Sequence, residues 1–145
     1  MQISHNGLEA LKESEGFRAN AYPDSGGTWT IGYGTTVVDG KPVMRGMTCT
    51  QQQAELWLEA DLARTQTVVN RLCGTIVNQN QFDALVNFAY NEGSQAFAGS
   101  TMLRKILARD YKGAAAEFPK WDLIGLTHDK GLAARRLRER SLFEK

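Results

Sequence analysis

Two acids, Glu15 and Asp24, stand nine residues apart in the stretch EGFRANAYPDSGGTWTIGYG that spans residues 15–34. Each has a different local setting, and the chemistry of the pair depends on that difference. When two carboxyl groups have environments that push their pKa values apart, one stays protonated and donates while the other stays ionised. Glycoside hydrolysis uses such a pair: the first protonates the leaving oxygen, and the second stabilises developing positive charge or activates water.

Glu15 is set apart from its neighbours by helical periodicity. At about 100° per residue, Leu8, Leu11 and Glu15 lie within about 60° of one another, while Glu9 and Glu13 turn away. Glu15 therefore falls on the stripe expected to face the interior, where burial disfavours the anion. The negative end of the helix backbone pushes the same way. The alternative is a frayed, exposed helix-end acid. Asp24 lies in the turn signal Tyr-Pro-Asp-Ser-Gly-Gly. An aspartate there commonly accepts hydrogen bonds from nearby amides, and such a polar place also keeps it ionised. Strand alternation adds Thr30. Trp29, Ile31 and Tyr33 point to one face, able to bury apolar area, and Thr28 and Thr30 to the other. A hydroxyl at Thr30 could help Asp24 hold a water.

The elements that must position these groups are legible in outline. Ser4 to Glu15 reads as a short helix stopped by Gly16. Residues 17–38 read as a small antiparallel sheet of two or three strands, with DGK at 39–41 as a further turn. Thr50 with Gln53 has capping-box spacing. Ala54, Trp57, Leu58, Leu62, Val68, Val69 and Leu72 then recur at helical intervals, predicting one long helix. Asn78 with Gln81 opens another helix with the apolar stripe Phe82, Leu85, Val86 and Ala89. Ser100, Tyr111 and Asp129 open three more. Strands followed by helices make an α+β arrangement, with a small β-containing lobe over about 15–48. A mainly helical lobe covers about 50–145 and includes the N-terminal helix 4–15. A cleft between lobes would be the natural ligand site.

Composition narrows the classes. With 145 residues and 42% apolar content the chain can bury one core. No run approaches the roughly 18 apolar residues of a membrane span. MQISHNGLEALKESEG lacks the basic-then-apolar pattern of an export leader, so the expected location is the cytoplasm. Cys49 and Cys73 fit no metal or redox spacing, and with only His5 and His128 beside them no metal site and no cofactor are expected. Residues 1–99 carry 6 basic and 10 acidic side chains, and residues 100–145 carry 11 and 6, so charge runs from −4 to +5. That polarity is compatible with an anionic polymer as partner and equally with a solvated helix face.

The spacing E-G-F-R-x-x-A-Y-P-D-x-x-G-x-x-T-I-G-Y-G resembles the bacteriophage lysozyme (endolysin) family, glycoside hydrolase family 24. The likeness continues through Gln81-Phe82-Asp83-Ala84-Leu85, Asn87-Phe88-Ala89-Tyr90-Asn91, Phe97-Ala98-Gly99-Ser100-Thr101 and Gly131-Leu132-Ala133-Ala134-Arg135-Arg136. It implies a lysozyme-like fold and a muramidase cleaving the β-1,4 bond between N-acetylmuramic acid and N-acetylglucosamine in peptidoglycan. By position, Glu15 would be the general acid, Asp24 the water-assisting or charge-stabilising carboxylate, and Thr30 the residue orienting that water. Thr36, Tyr90 and Ser100 would line the saccharide cleft, although Tyr90 and Ser100 read equally well as an interior aromatic and a helix N-cap. The resemblance favours inversion, for which the carboxyl groups stand roughly 6.5–9.5 Å apart. It also implies a monomer, no metal or cofactor, and release to the cell wall through a membrane lesion made by a separate holin-type protein. Many relatives carry His where this chain has Thr35, which puts any ion pair anchored there in doubt. Other readings are a catalytically silent glycan-binding module, nucleic-acid binding through ARRLRER at 134–140, and a transglycosylase that forms anhydro-sugars.

Overall fold

Ser4 starts the first helix, α1 (His5–Glu15): its carbonyl accepts from the Leu8 amide at 2.9 Å and its hydroxyl from the Gly7 amide at 3.1 Å. Gly16, at φ +70°, ends it by returning its amide to the Lys12 carbonyl at 2.8 Å, a left-handed stop that glycine takes without strain. The computed structural model describes residues 1–145 and is α+β, with seven α-helices and three two-stranded antiparallel ribbons. Two compact units make up the chain, residues 9–64 and residues 1–8 with 65–145, so the division falls within α1 and within the long helix α2 (Gln51–Cys73).

In the unit of residues 9–64, β1 (Arg18–Pro23) and β2 (Trp29–Gly32) form a hairpin that pairs Tyr22 with Thr30 and Pro23 with Trp29. The residues that follow do not add a third strand to it. Gly32 and Gly34 take positive φ, and Ile31 and Thr35 exchange both backbone hydrogen bonds at 2.9 Å, so the chain doubles back after four strand residues. A separate ribbon of β3 (Val37–Val38) and β4 (Lys41–Pro42) results. A Cβ added to Gly32 would stand 2.9 Å from the Ala54 Cβ, so this end of β2 lies directly on α2. Thr50 and Gln53 close the expected capping box, with bonds of 2.9 and 3.1 Å, and Ala54, Leu58, Leu62 and Val69 form the buried stripe of α2. Thr35 is buried and donates to Asp61 Oδ2 at 3.0 Å. Burial raises the Asp61 carboxyl above its ordinary value, opposed by this bond and by Arg64.

In the other unit, α3 (Gln79–Glu92) carries the expected Asn78–Gln81 capping box, with bonds of 2.8 and 2.9 Å. Instead of one apolar stripe, all of Phe82 through Ala89 is buried. A helix enclosed on every side must satisfy its polar members internally. Asp83 accepts from the Ser4 amide (2.9 Å), the Ser4 hydroxyl and Gln79 Nε2 (2.8 Å), and Asn87 donates to the Gly7 carbonyl at 3.1 Å. Phe88 receives Phe97, Phe118 and Trp121 at edge-on angles. A short α4 (Ser94–Ala98) precedes α5 (Thr101–Leu107), and α6 (Tyr111–Ala115) gives way to a 3₁₀ turn at Phe118–Lys120. The last ribbon, β5 (Leu123–Ile124) with β6 (Thr127–His128), is not signalled by any strand-length pattern. Asp129 then caps α7 (Lys130–Phe143), which packs on α3. Cys73 is a core thiol, pushed up to about 11 by burial, and neither cysteine is in a disulfide.

Arg136 of α7 has no exposed surface. It bonds Glu92 at 2.5 Å, Asn91 at 2.8 Å and Glu139 at 2.8 Å, and its guanidinium stands 5.1 Å from the Phe88 ring centre. Its Nε also lies 2.7 Å from Glu139 Oε2, close in charge although off the hydrogen-bond angle. Removing one member of such a group leaves uncompensated buried charge, so Arg136→Ala should lose about 3–5 kcal/mol in denaturant unfolding. Lysine at the same position should rescue little of it, since one ammonium cannot reproduce the fork. Glu117 gives a second test. Its carboxyl is buried between Lys120 (2.5 Å) and Lys105 (3.6 Å), and the Lys120 bond holds it below the ordinary 4.5, against desolvation. Its contribution is complete above the ordinary carboxylate range and is lost as pH falls through the lowered folded value. The stability gap between the wild type and Glu117→Gln should therefore close on acidification, as read from urea midpoints at about pH 6 and about pH 3.

Candidate active site

All three proposed catalytic positions fall in the unit of residues 9–64. Glu15 occupies the last residue of α1 and is half-buried, while Leu11, one turn earlier on its stripe, has no exposed surface. The stripe drawn from periodicity thus runs from core to surface along the helix and ends at this acid.

Asp24 begins the turn that joins the two hairpin strands. Its amide donates to the Thr28 carbonyl (2.9 Å), and its carbonyl accepts from Gly27 (3.0 Å). Its side-chain Oδ1 accepts from the amides of Gly26 and Thr28, both at 2.9 Å. The turn-forming alternative is therefore real, but it engages a single oxygen. Oδ2 accepts none of the chain's donors, and the residue is exposed. A carboxylate held by two amides through one oxygen keeps a fixed direction and an oxygen for chemistry.

Thr30 departs from the alternation reading. It is 4% exposed, as enclosed as Ile31 and Tyr33 on the opposite side, while Trp29 is only half-buried. The short strand is covered on both faces, so alternation separates directions here without separating core from solvent. The Thr30 hydroxyl donates to the Thr28 carbonyl at 2.9 Å. Its remaining capacity is as an acceptor.

Tyr22 lies beside these groups, although no periodicity in the sequence singles it out. It is the cross-strand partner of Thr30 and precedes Asp24 by two residues. Desolvation raises its phenol pKa; Arg18, whose guanidinium lies 4.1 Å from its ring centre, lowers it, and the charges of Glu15 and Asp24 both raise it further. Glu15 and Asp24 are thus both within electrostatic reach of one phenol. Lys12, one turn before Glu15, bonds Glu55 of α2 at 2.7 Å and Glu9 at 3.3 Å, and the Glu55 bond is the main cause of its raised pKa.

The remaining candidates divide. Thr36 is exposed in the segment before β3, with its carbonyl bonded to Val43. Tyr90 is half-buried on α3. Ser100 is 4% exposed; its hydroxyl donates to the Phe97 carbonyl (2.7 Å) and accepts from Leu103 (3.0 Å), which makes it the N-cap of α5. Of its two readings the cap is the one its hydrogen bonds realise.

Comparison with known proteins agrees with this fold. The phage lysozyme family model matches residues 12–139. An endolysin of Salmonella phage P22 is 45% identical over 144 residues, covering 99% of this chain and 98% of that one. Among solved structures, an endolysin from Escherichia coli O157:H7 phage FAHEc1 superposes with a TM-score of 0.92 at 39% identity, covering 99% of this chain and 93% of that one. The muramidase domain of SpmX from Asticaccaulis excentricus gives 0.90 at 35% identity, with 99% and 98% covered. The chain belongs to the phage lysozyme family and is a lysozyme-class glycoside hydrolase with the lysozyme-like fold.

Proposed function

We propose that this enzyme is an endolysin that hydrolyses the β-1,4 bond between N-acetylmuramic acid and N-acetylglucosamine in bacterial peptidoglycan. Glu15 acts as general acid on the leaving glycosidic oxygen. Asp24, through Oδ2, accepts a proton from the attacking water or stabilises the oxocarbenium-like transition state. Thr30 orients that water. Because its own proton goes to the Thr28 carbonyl, it accepts from the water, which leaves the water's other proton for Asp24. The single observation that carries the reading is the hairpin itself: its turn holds Asp24 through one oxygen and leaves Oδ2 without a donor, and its second strand carries Thr30. Support also comes from relatives that are themselves named endolysin or muramidase domain.

In this reading the reaction inverts the anomeric centre and needs no metal or cofactor. Thr36 contacts the glycan, and Ser100 fixes the start of α5. The protein acts as a monomer that reaches the cell wall through a separate holin. No helix of the structure is long and apolar enough to cross a membrane.

The test is turnover on purified cell walls. Glu15→Gln and Asp24→Asn should each keep the wild-type far-ultraviolet spectrum and lose at least about 100-fold in rate. Wild-type turnover in Glu15→Gln would overturn the assignment, and cell-wall binding without turnover in the wild type would favour the silent binding module. Mass spectrometry of released muropeptides should find reducing ends, with anhydro-sugars the outcome of a transglycosylase.

A further inference from the structure

The residues on either side of Glu15 meet the same aromatic ring. Three positions before it, Lys12 places its ammonium 5.7 Å from the centre of the Tyr33 ring. Two positions after it, Phe17 sets its ring centre 5.7 Å from the same ring, at an interplanar angle of 48°. Tyr33 itself is 4% exposed and its hydroxyl accepts from Gln51 Nε2 at 3.1 Å, which ties it to the first residue of α2. The Lys12 ammonium is held in turn by Glu55, one turn further along α2. Tyr33 follows β2 directly, three residues after Thr30. One buried side chain therefore joins the strand bearing Thr30, the beginning of α2 and both flanks of Glu15. All of these residues belong to the unit of residues 9–64.

Gly16 sharpens the need for such a seat. At φ +70° the backbone leaves the helix immediately after Glu15, so the acid stands at a bend and not within a continuous rod. The last helical turn has few backbone bonds of its own to resist fraying. Contacts on only one side of the bend would let the other side pivot. The ring of Tyr33 receives contacts from both.

We propose that Tyr33 is a positioning residue for the candidate acid, its ring the common seat that fixes the bend at Glu15 relative to the strand carrying Thr30. This rests on the assignment of Glu15 as general acid. Tyr33 touches no reacting atom in this scheme. Its effect is geometric: a displacement of a catalytic group by about 1 Å can cost about 100-fold in rate. The ring, and not the hydroxyl, makes both contacts, so phenylalanine should serve nearly as well as tyrosine.

The test compares Tyr33→Leu with Tyr33→Phe on soluble peptidoglycan fragments, well below the melting temperature of each. Tyr33→Leu should lose about 10- to 100-fold in kcat with KM within about twofold, and Tyr33→Phe should stay within about threefold in both. In a Glu15→Gln background Tyr33→Leu should cause no further loss, because both changes act through one proton donor. Equal losses in the leucine and phenylalanine variants, a loss confined to KM, or full additivity with Glu15→Gln would overturn the proposal. If Tyr33→Leu does not fold, Phe17→Ala and Lys12→Met decide, since each removes one flank from the surface of the ring. Reduced kcat at unchanged KM in both supports the seat, and wild-type kcat in both removes it. An active Glu15→Gln would instead defeat the functional assignment, whereas an inactive Glu15→Gln beside a fully active Tyr33→Leu would defeat only the role of Tyr33.

Discussion

A guanidinium with no exposure is among the most expensive groups a protein core can hold, and the unit of residues 1–8 and 65–145 is arranged around one. Arg136 needs its charge compensated, and Glu92 and Asn91 at the end of α3 and Glu139 on its own helix accept from its two terminal nitrogens, while Phe88 lies against it. Arg135 is also buried, bonding Glu139 at 3.1 Å. These bonds require α7 to meet the C-terminal part of α3 in one register, because no other placement brings two carboxylates and an amide to the same cation. They also change the meaning of the basic run ARRLRER. Two of its four arginines point into the core, and Arg140 pairs with Glu144. A helix that turns its arginines inward is not the exposed stripe that nucleic-acid binding needs.

The acids of this protein sort by what satisfies them. Glu139, Glu92 and Glu117 lie against arginine or lysine, Glu55 against Lys12, and Asp61 against Thr35. Those groups are structural, and each carries the signature of a charge compensated within the fold. Asp24 belongs with the cap residues Asp110 and Asp129 instead: main-chain amides hold it, through one oxygen. Backbone donors fix its direction without supplying a formal countercharge. That is the condition under which a carboxylate can answer positive charge that develops during a reaction instead of one already present in the protein.

Much of this was legible in the residues themselves because the controlling interactions are local. The start of α1 at Ser4, its stop at Gly16, both capping boxes and the Asp24 turn each involve partners within four positions, and each appears as the spacing implies. What sequence did not reveal is non-local. Periodicity sees one apolar stripe on α3, yet the helix is enclosed on every side, and only the surrounding helices and the residues before α1 determine that. Alternation assigns Thr30 a direction but cannot say that both faces of so short a strand are covered. The burial of Arg135 and Arg136 is unreadable for the same reason: their partners include residues more than forty positions away.

The two kinds of legibility correspond to two kinds of task. The proposed chemistry needs an acid held at a definite angle, and short-range backbone devices, a helix end for Glu15 and a turn for Asp24, would supply that angle directly from sequence spacing. Fixing those devices relative to one another needs side chains from separate elements, and in residues 9–64 that falls to Tyr33 with Lys12, Phe17 and Gln51. An aromatic ring suits the task better than an ion pair would. It accepts a cation on one contact and another ring on a second, and neither contact requires the precise hydrogen-bond angles that a carboxylate would demand. It also brings no formal charge of its own. Thr35 follows the same logic, since its hydroxyl anchors Asp61 without a charge of its own.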